Sequence, residues 1–140
     1  MEEPLTHELL AELLSAPDPR VYLDAHQAPD RVLSDYLQQL LDERGLLQSK
    51  VVAEARLNRT YGYEIFSGLK KNPARDKVLA IALAMGLTLT ETNRVLQAAN
   101  RNELYCKNRR DAIIIFALEH GYPLQRTNET LYVFGEQIIR

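Results

Sequence analysis

At 140 residues and 46 % hydrophobic, the chain suffices for one domain whose core needs no metal or disulfide staple. Its single cysteine, Cys106, excludes an intrachain disulfide and points to a reducing cytoplasm. The net charge of −2 hides an uneven spread, with −7 over residues 1–45, +7 over 46–110 and −2 over 111–140.

The acidic start MEEPLTHELL lacks the basic region of a signal peptide, and no apolar run approaches the ~20 residues of a membrane span. Leu5–Ser15 carries apolar residues at helical spacing, with Thr6 placed to cap it and Pro17 and Pro19 to end it. Asp18-Pro19 then predicts a short helix to about Gln27. Asp30 or Ser34 is placed to cap the next helix, with Leu33, Tyr36, Leu37, Leu40 and Leu41 inward and Gly45 as a left-handed stop. A helix near Gln48–Ala55, a turn at Arg56–Asn58 and a helix near Arg59–Ser67 follow, closed by Gly68.

Asn72-Pro73 predicts a capped start for Ala74–Met85, closed by Gly86, and Thr90 is placed to cap Glu91–Ala99. After a loop over Asn100–Lys107, helices are expected near Arg109–His120 and Leu124–Phe134, closed by Gly121 and Gly135. No stretch has the period of a strand, and Glu136–Arg140 is too short to classify.

One repeat stands out. A shift of 35 lays Arg75–Leu96 onto Arg110–Leu131, with nine of 22 positions identical, among them Arg-Asp and Thr-Asn pairs. A helix pair of this size cannot bury its apolar face alone, so the second copy is expected to extend the core of the first. Asp76 and Asp111 suit first helical turns, and Arg75 and Arg110 can bridge to neighbouring acids.

Leu46–Pro73 has the order of a helix-turn-helix: two short helices, a tight turn, a glycine stop and a basic loop. Val51, Val52, Ala55, Leu57 and Ile65 would face the core, and Asn58 is a natural cap. With Arg44-Gly45-Leu46, Gln48, Leu57-Asn58-Arg59, Lys70-Lys71-Asn72-Pro73 and Leu87-Thr88-Leu89-Thr90-Glu91, residues 34–97 resemble the lambda-repressor-like (Xre-type) helix-turn-helix family. The resemblance implies an all-α, five-helix DNA-binding-type domain over residues 31–100. An acidic helical extension at 1–30 precedes it, and a helix pair at 101–140, repeating helices 4 and 5, packs on the same core.

It also implies a bacterial transcription regulator that binds double-stranded DNA, usually as a homodimer. By position, Gln48 would hold a phosphate, Arg59, Thr60 and Glu64 would face base edges beside Tyr63, and Lys70 and Lys71 would sit near the backbone. Gly62, Arg56, Glu64 and Phe66 depart from the family pattern.

The alternative is an adaptor on the same scaffold, in which Tyr61, Tyr63 and Phe66, three aromatics within six residues, contact a protein partner. The acidic extension 1–30 could pack on the domain, form a dimer arm or dock a partner, and its charge would let it compete with DNA. No enzyme is expected, and no metal or cofactor. His7-Glu8 lacks the second histidine of a zinc-protease motif, and Gly68-Leu69-Lys70-Lys71 lacks the rest of a phosphate loop.

Overall fold

The computed structural model describes residues 6–19 and 31–140. The chain divides into two compact units, residues 1–30 and 31–140. In the first, helix α1 spans Thr6–Ser15, with Leu10, Leu13 and Leu14 exposed. The helix expected to run on to Gln27 lies outside the described residues beyond Pro19, as does the Asp30 cap.

The second unit holds seven helices and, among the described residues, no strand. They are α2 (Leu33–Arg44), α3 (Gln48–Glu54), α4 (Arg59–Ser67), α5 (Arg75–Met85), α6 (Leu89–Ala98), α7 (Arg109–Glu119) and α8 (Leu124–Val133). One apolar core runs from Leu33 to Ile139. Helix α5 lies at its centre, packed on α3, α6 and α8, and seven of its eleven residues are buried. That explains why α5 is apolar nearly all round.

Three helix starts differ from the sequence expectation. Ser34 does not cap α2, since it lies inside the helix; Val32 is at the cap position and its side chain offers no acceptor. Helix α5 begins one residue later than expected, after Ala74, because Asn72 and Pro73 belong to the preceding loop. Thr88 rather than Thr90 caps α6, in a reciprocal box with Glu91. Thr88 accepts from the Glu91 amide at 3.1 Å and Glu91 accepts from the Thr88 amide at 3.0 Å. Glu91 also pairs with Arg44. Burial pushes the Glu91 carboxyl up, but the Thr88 amide and Arg44 outweigh it and hold it below its ordinary value.

The repeat closes on itself. Arg75 of α5 makes a two-pronged pair with Asp111 of α7, both bonds at 2.9 Å. Arg110 of α7 makes the same pair with Asp76 of α5, both bonds at 3.1 Å. Each aspartate therefore answers the other copy's arginine. Packing of α5 on α8 is mirrored by packing of α6 on α7, as a two-fold relation requires.

The correspondence extends past the identical residues. The amide of Leu104 donates to Asn93, and that of Ile139 to Asn128. The guanidinium of Arg75 donates to the carbonyls of Asn102 and Glu103, and that of Arg110 to Gln137 and Ile138. The tail 136–140 thus repeats the loop 101–105, with Ile139 buried like Leu104.

The copies differ on their outer faces. Val78, Ile81, Val95 and Ala99 are buried, on helices that pack against α3 and α2. Their equivalents, Ile113, Phe116, Thr130 and Phe134, line an open groove of about 600 Å³ on α7 and α8. Phe116 is partly shielded by its own neighbours. His120 stacks on it at 3.9 Å and Tyr122 meets it edge-on at 5.9 Å.

Candidate nucleic-acid interface

The geometry of α3 and α4 follows from a few residues. Val51 and Val52 anchor α3 in the core. Arg56 then takes a left-handed conformation, φ 56°. The amide of Arg56 bonds to Ala53 at 3.0 Å and that of Leu57 to Val52 at 3.1 Å, a Schellman stop. Leu57 turns into the core, and Asn58 accepts from the amides of Thr60 and Tyr61 at 2.9 and 3.2 Å. Such a cap contributes about 1 kcal/mol.

Gly62 has a definite role in this pair. A Cβ there would lie 2.6 Å from a methyl of Val52, so only glycine lets α4 sit this close to α3. Ile65 and Phe66 fill the core behind it, 0 % and 2 % exposed. Phe66 is therefore unavailable to a partner, and the expected aromatic patch reduces to Tyr63, with Tyr61 half-buried. The departure at Phe66 is explained by packing: the ring is part of the core.

What remains outward on α4 is Arg59, Thr60, Tyr63 and Ser67, spaced to share one helical face. Glu64 is half-buried at its edge. Gln48, at the start of α3, is half-buried, and its oxygen accepts from Gln38 at 3.1 Å. The group it has left to present is its N–H₂. Lys70 and Lys71 are exposed in the loop after α4, with the Lys70 ammonium 5.1 Å from the Tyr61 ring.

That loop is held. The Lys70 amide donates to Glu64 at 2.9 Å, and Arg101 donates to the carbonyls of Pro73 and Asn72 at 2.9 and 2.8 Å.

Four of the arginines in the middle of the chain have structural partners. Arg75 and Arg110 are in the crossed pairs, Arg101 clamps the loop and Arg109 pairs with Glu136. Among the described residues, Arg59, Lys70 and Lys71 form no ion pair. They are the cations that α4 and its loop leave to solvent. Sequence reading missed Arg31 and Ser34, which line a cavity with Lys70 and Lys71. Their signal was weak, since Ser34 stood where an ordinary cap was expected.

Among the described residues no three His, Cys, Asp or Glu side chains gather as metal ligands, and no helix is long and apolar enough to cross a membrane. No family model matches the chain, and no curated protein or solved structure is significantly similar to it.

Proposed function

We propose that the chain is a sequence-specific DNA-binding regulator of the lambda-repressor-like type, with α3 and α4 as its helix-turn-helix. The observation that supports this reading is the outward face of α4. It joins Arg59, Thr60 and Tyr63 to the exposed cations Lys70 and Lys71 on a loop fixed by Arg101. A short helix with its N-terminus outward and Arg59 in its first turn suits the major groove. Lysines beside it suit phosphates.

Binding of duplex DNA, followed by fluorescence anisotropy across a salt series, tests the reading. Each phosphate contact contributes roughly −0.9 to the slope of log K against log salt. Lys70→Ala should reduce the slope by about 1 and weaken all sequences alike. Arg59→Ala should cost about 1–3 kcal/mol on the preferred sequence and relax preference at one position. Salt-insensitive binding, or no response to either change in a folded protein, would overturn it.

A second reading, a protein adaptor, is favoured by one observation, the open groove on α7 and α8. Its equivalent face on α5 and α6 packs against helices α3 and α2, so the groove has the form that receives a helix. On that reading Phe134→Asp would abolish a complex while leaving any DNA binding unchanged.

A further inference from the structure

We propose that the cavity at the N-terminus of α2 is a phosphate-group site, and that in the DNA complex it seats one backbone phosphodiester. The second half of this rests on the DNA-binding reading; the first half does not.

The cavity, about 300 Å³, is lined by Arg31, Ser34, Gly68, Lys70, Lys71 and Asn72. It lies between the start of α2 and the loop that leaves α4. Three cationic residues line it, and no acid does among the described residues. Asp35, in the first turn of α2, is exposed and outside the lining. Helix α2 is 12 residues long, and its cap residue Val32 offers no side-chain acceptor. Among the described residues its first amides have no intrahelical or cap partner, and they carry the positive end of the helix dipole. Val32, Leu33 and Ala98 form an apolar wall, which raises the strength of any charge contact inside.

The independent observation is Ser34. Ser34 as a residue is 9 % exposed; no described residue hydrogen-bonds its hydroxyl, which opens onto the cavity. A hydroxyl left unbonded by the protein and open to the cavity can donate to a ligand there. Gly68 keeps the hydroxyl open to the cavity: a Cβ at 68 would sit 3.0 Å from the Ser34 oxygen. Arg31 is held in place by its own stacking, 5.3 Å above the Tyr36 ring. A tetrahedral oxyanion would meet the Ser34 hydroxyl, the α2 amides and the three cations together. Lys70 and Lys71 continue onto the α4 face, which is why a backbone phosphate rather than a free one is assigned.

The test uses the full chain in two arms. In the first, inorganic phosphate is titrated at fixed ionic strength against a chloride control, with amide NMR shifts as the readout. Phosphate-specific shifts at Leu33, Ser34, Asp35 and Gly68 are expected. Ser34→Ala and Lys71→Gln should each weaken apparent affinity about five- to tenfold, whereas Lys50→Gln should leave it unchanged. Equal shifts in chloride, or indifference to both variants, overturns the site whatever DNA does.

In the second arm, the same variants should weaken duplex binding by a similar factor on every sequence, and phosphate should compete. Phosphate binding with duplex affinity unmoved overturns the backbone assignment and leaves a site for a free phosphate monoester. Phosphate binding by a protein that binds no duplex at all overturns the DNA-binding reading and leaves the site standing.

Discussion

Replacing Asp111 with alanine removes the more buried half of the crossed ion pairs. Its side chain is 8 % exposed and that of Arg75 is 26 % exposed. The change deletes two charge-assisted bonds at 2.9 Å and leaves the Tyr105 amide, 3.0 Å from the carboxylate, without its acceptor. Breaking a fully buried pair costs about 3–5 kcal/mol. Arg75 keeps some water and two carbonyl partners, which lowers the expected loss to about 3 kcal/mol.

The two-fold relation supplies the control. Asp76 is 29 % exposed, so Asp76→Ala, which deletes the equivalent bonds, should cost only about 1–2 kcal/mol. At roughly 4 °C per kcal/mol for a chain of this size, thermal unfolding by circular dichroism should separate the two variants by several degrees.

The same pair carries a pH signature. Burial pushes the Asp111 carboxyl up, but the Arg75 hydrogen bonds, the Tyr105 amide and the Arg75 and Arg110 charges bring it below its ordinary value. A lowered folded-state pKa stabilises above the unfolded value of about 3.9 and is lost as pH falls through the folded value. The gap between wild type and Asp111→Ala should therefore be constant from about pH 7 to about pH 5 and shrink below that. Equal losses at positions 76 and 111, or a gap that does not shrink at all as pH falls below about 4, would refute the assignment of this stability to the ion pair.

Gly62→Ala should destabilise by about 1–3 kcal/mol through its 2.6 Å collision with Val52, and adding Val52→Ala should recover part of the loss; urea titration reads both. Arg56→Gly should stabilise by up to about 1 kcal/mol in the same assay, because φ 56° strains any side chain with a Cβ. Ile81→Gln should cost about 3 kcal/mol or more, whereas Phe116→Gln, at the equivalent half-exposed position, should cost under about 1 kcal/mol.

Local signals carried the helical layout. The glycines at 45, 68 and 86 stop helices in left-handed conformations, as their place after apolar runs implied. Asn58 caps α4 because its side chain reaches two amides within three residues. Starts were harder to read. Thr88 and Thr90 are both plausible caps, and only the position of Glu91 three residues after Thr88 distinguishes them. The repeat was visible as a pattern, but not the exchange of partners. Arg75 finds Asp111 across 36 positions of sequence, with no local spacing to announce it. For the same reason the basic middle was misleading as a sum: a count of arginines does not separate those tied to aspartates and carbonyls from those left to solvent. Gly62 stood out only as a departure from the family pattern, because a missing side chain does not name the Val52 methyls that occupy its place.

The exchange of partners also explains why two copies suffice. A helix pair that stacks head to tail leaves an apolar face for a third copy, and so on. Two pairs related by a two-fold satisfy each other, since α5 meets α8 as α7 meets α6, and no equivalent contact remains open. What each copy then does with its outer face is free to diverge. In the first, Val78, Ile81, Val95 and Ala99 join the core on helices packed against α2 and α3. In the second, Thr130 replaces a buried valine with a hydroxyl and His120 stacks over Phe116, both adaptations to water. Phe134, 53 % exposed where the first copy has the buried Ala99, is the residue those adaptations do not explain. It enlarges an apolar surface that solvation alone would trim, which makes it the place to separate an adaptor from a DNA reader.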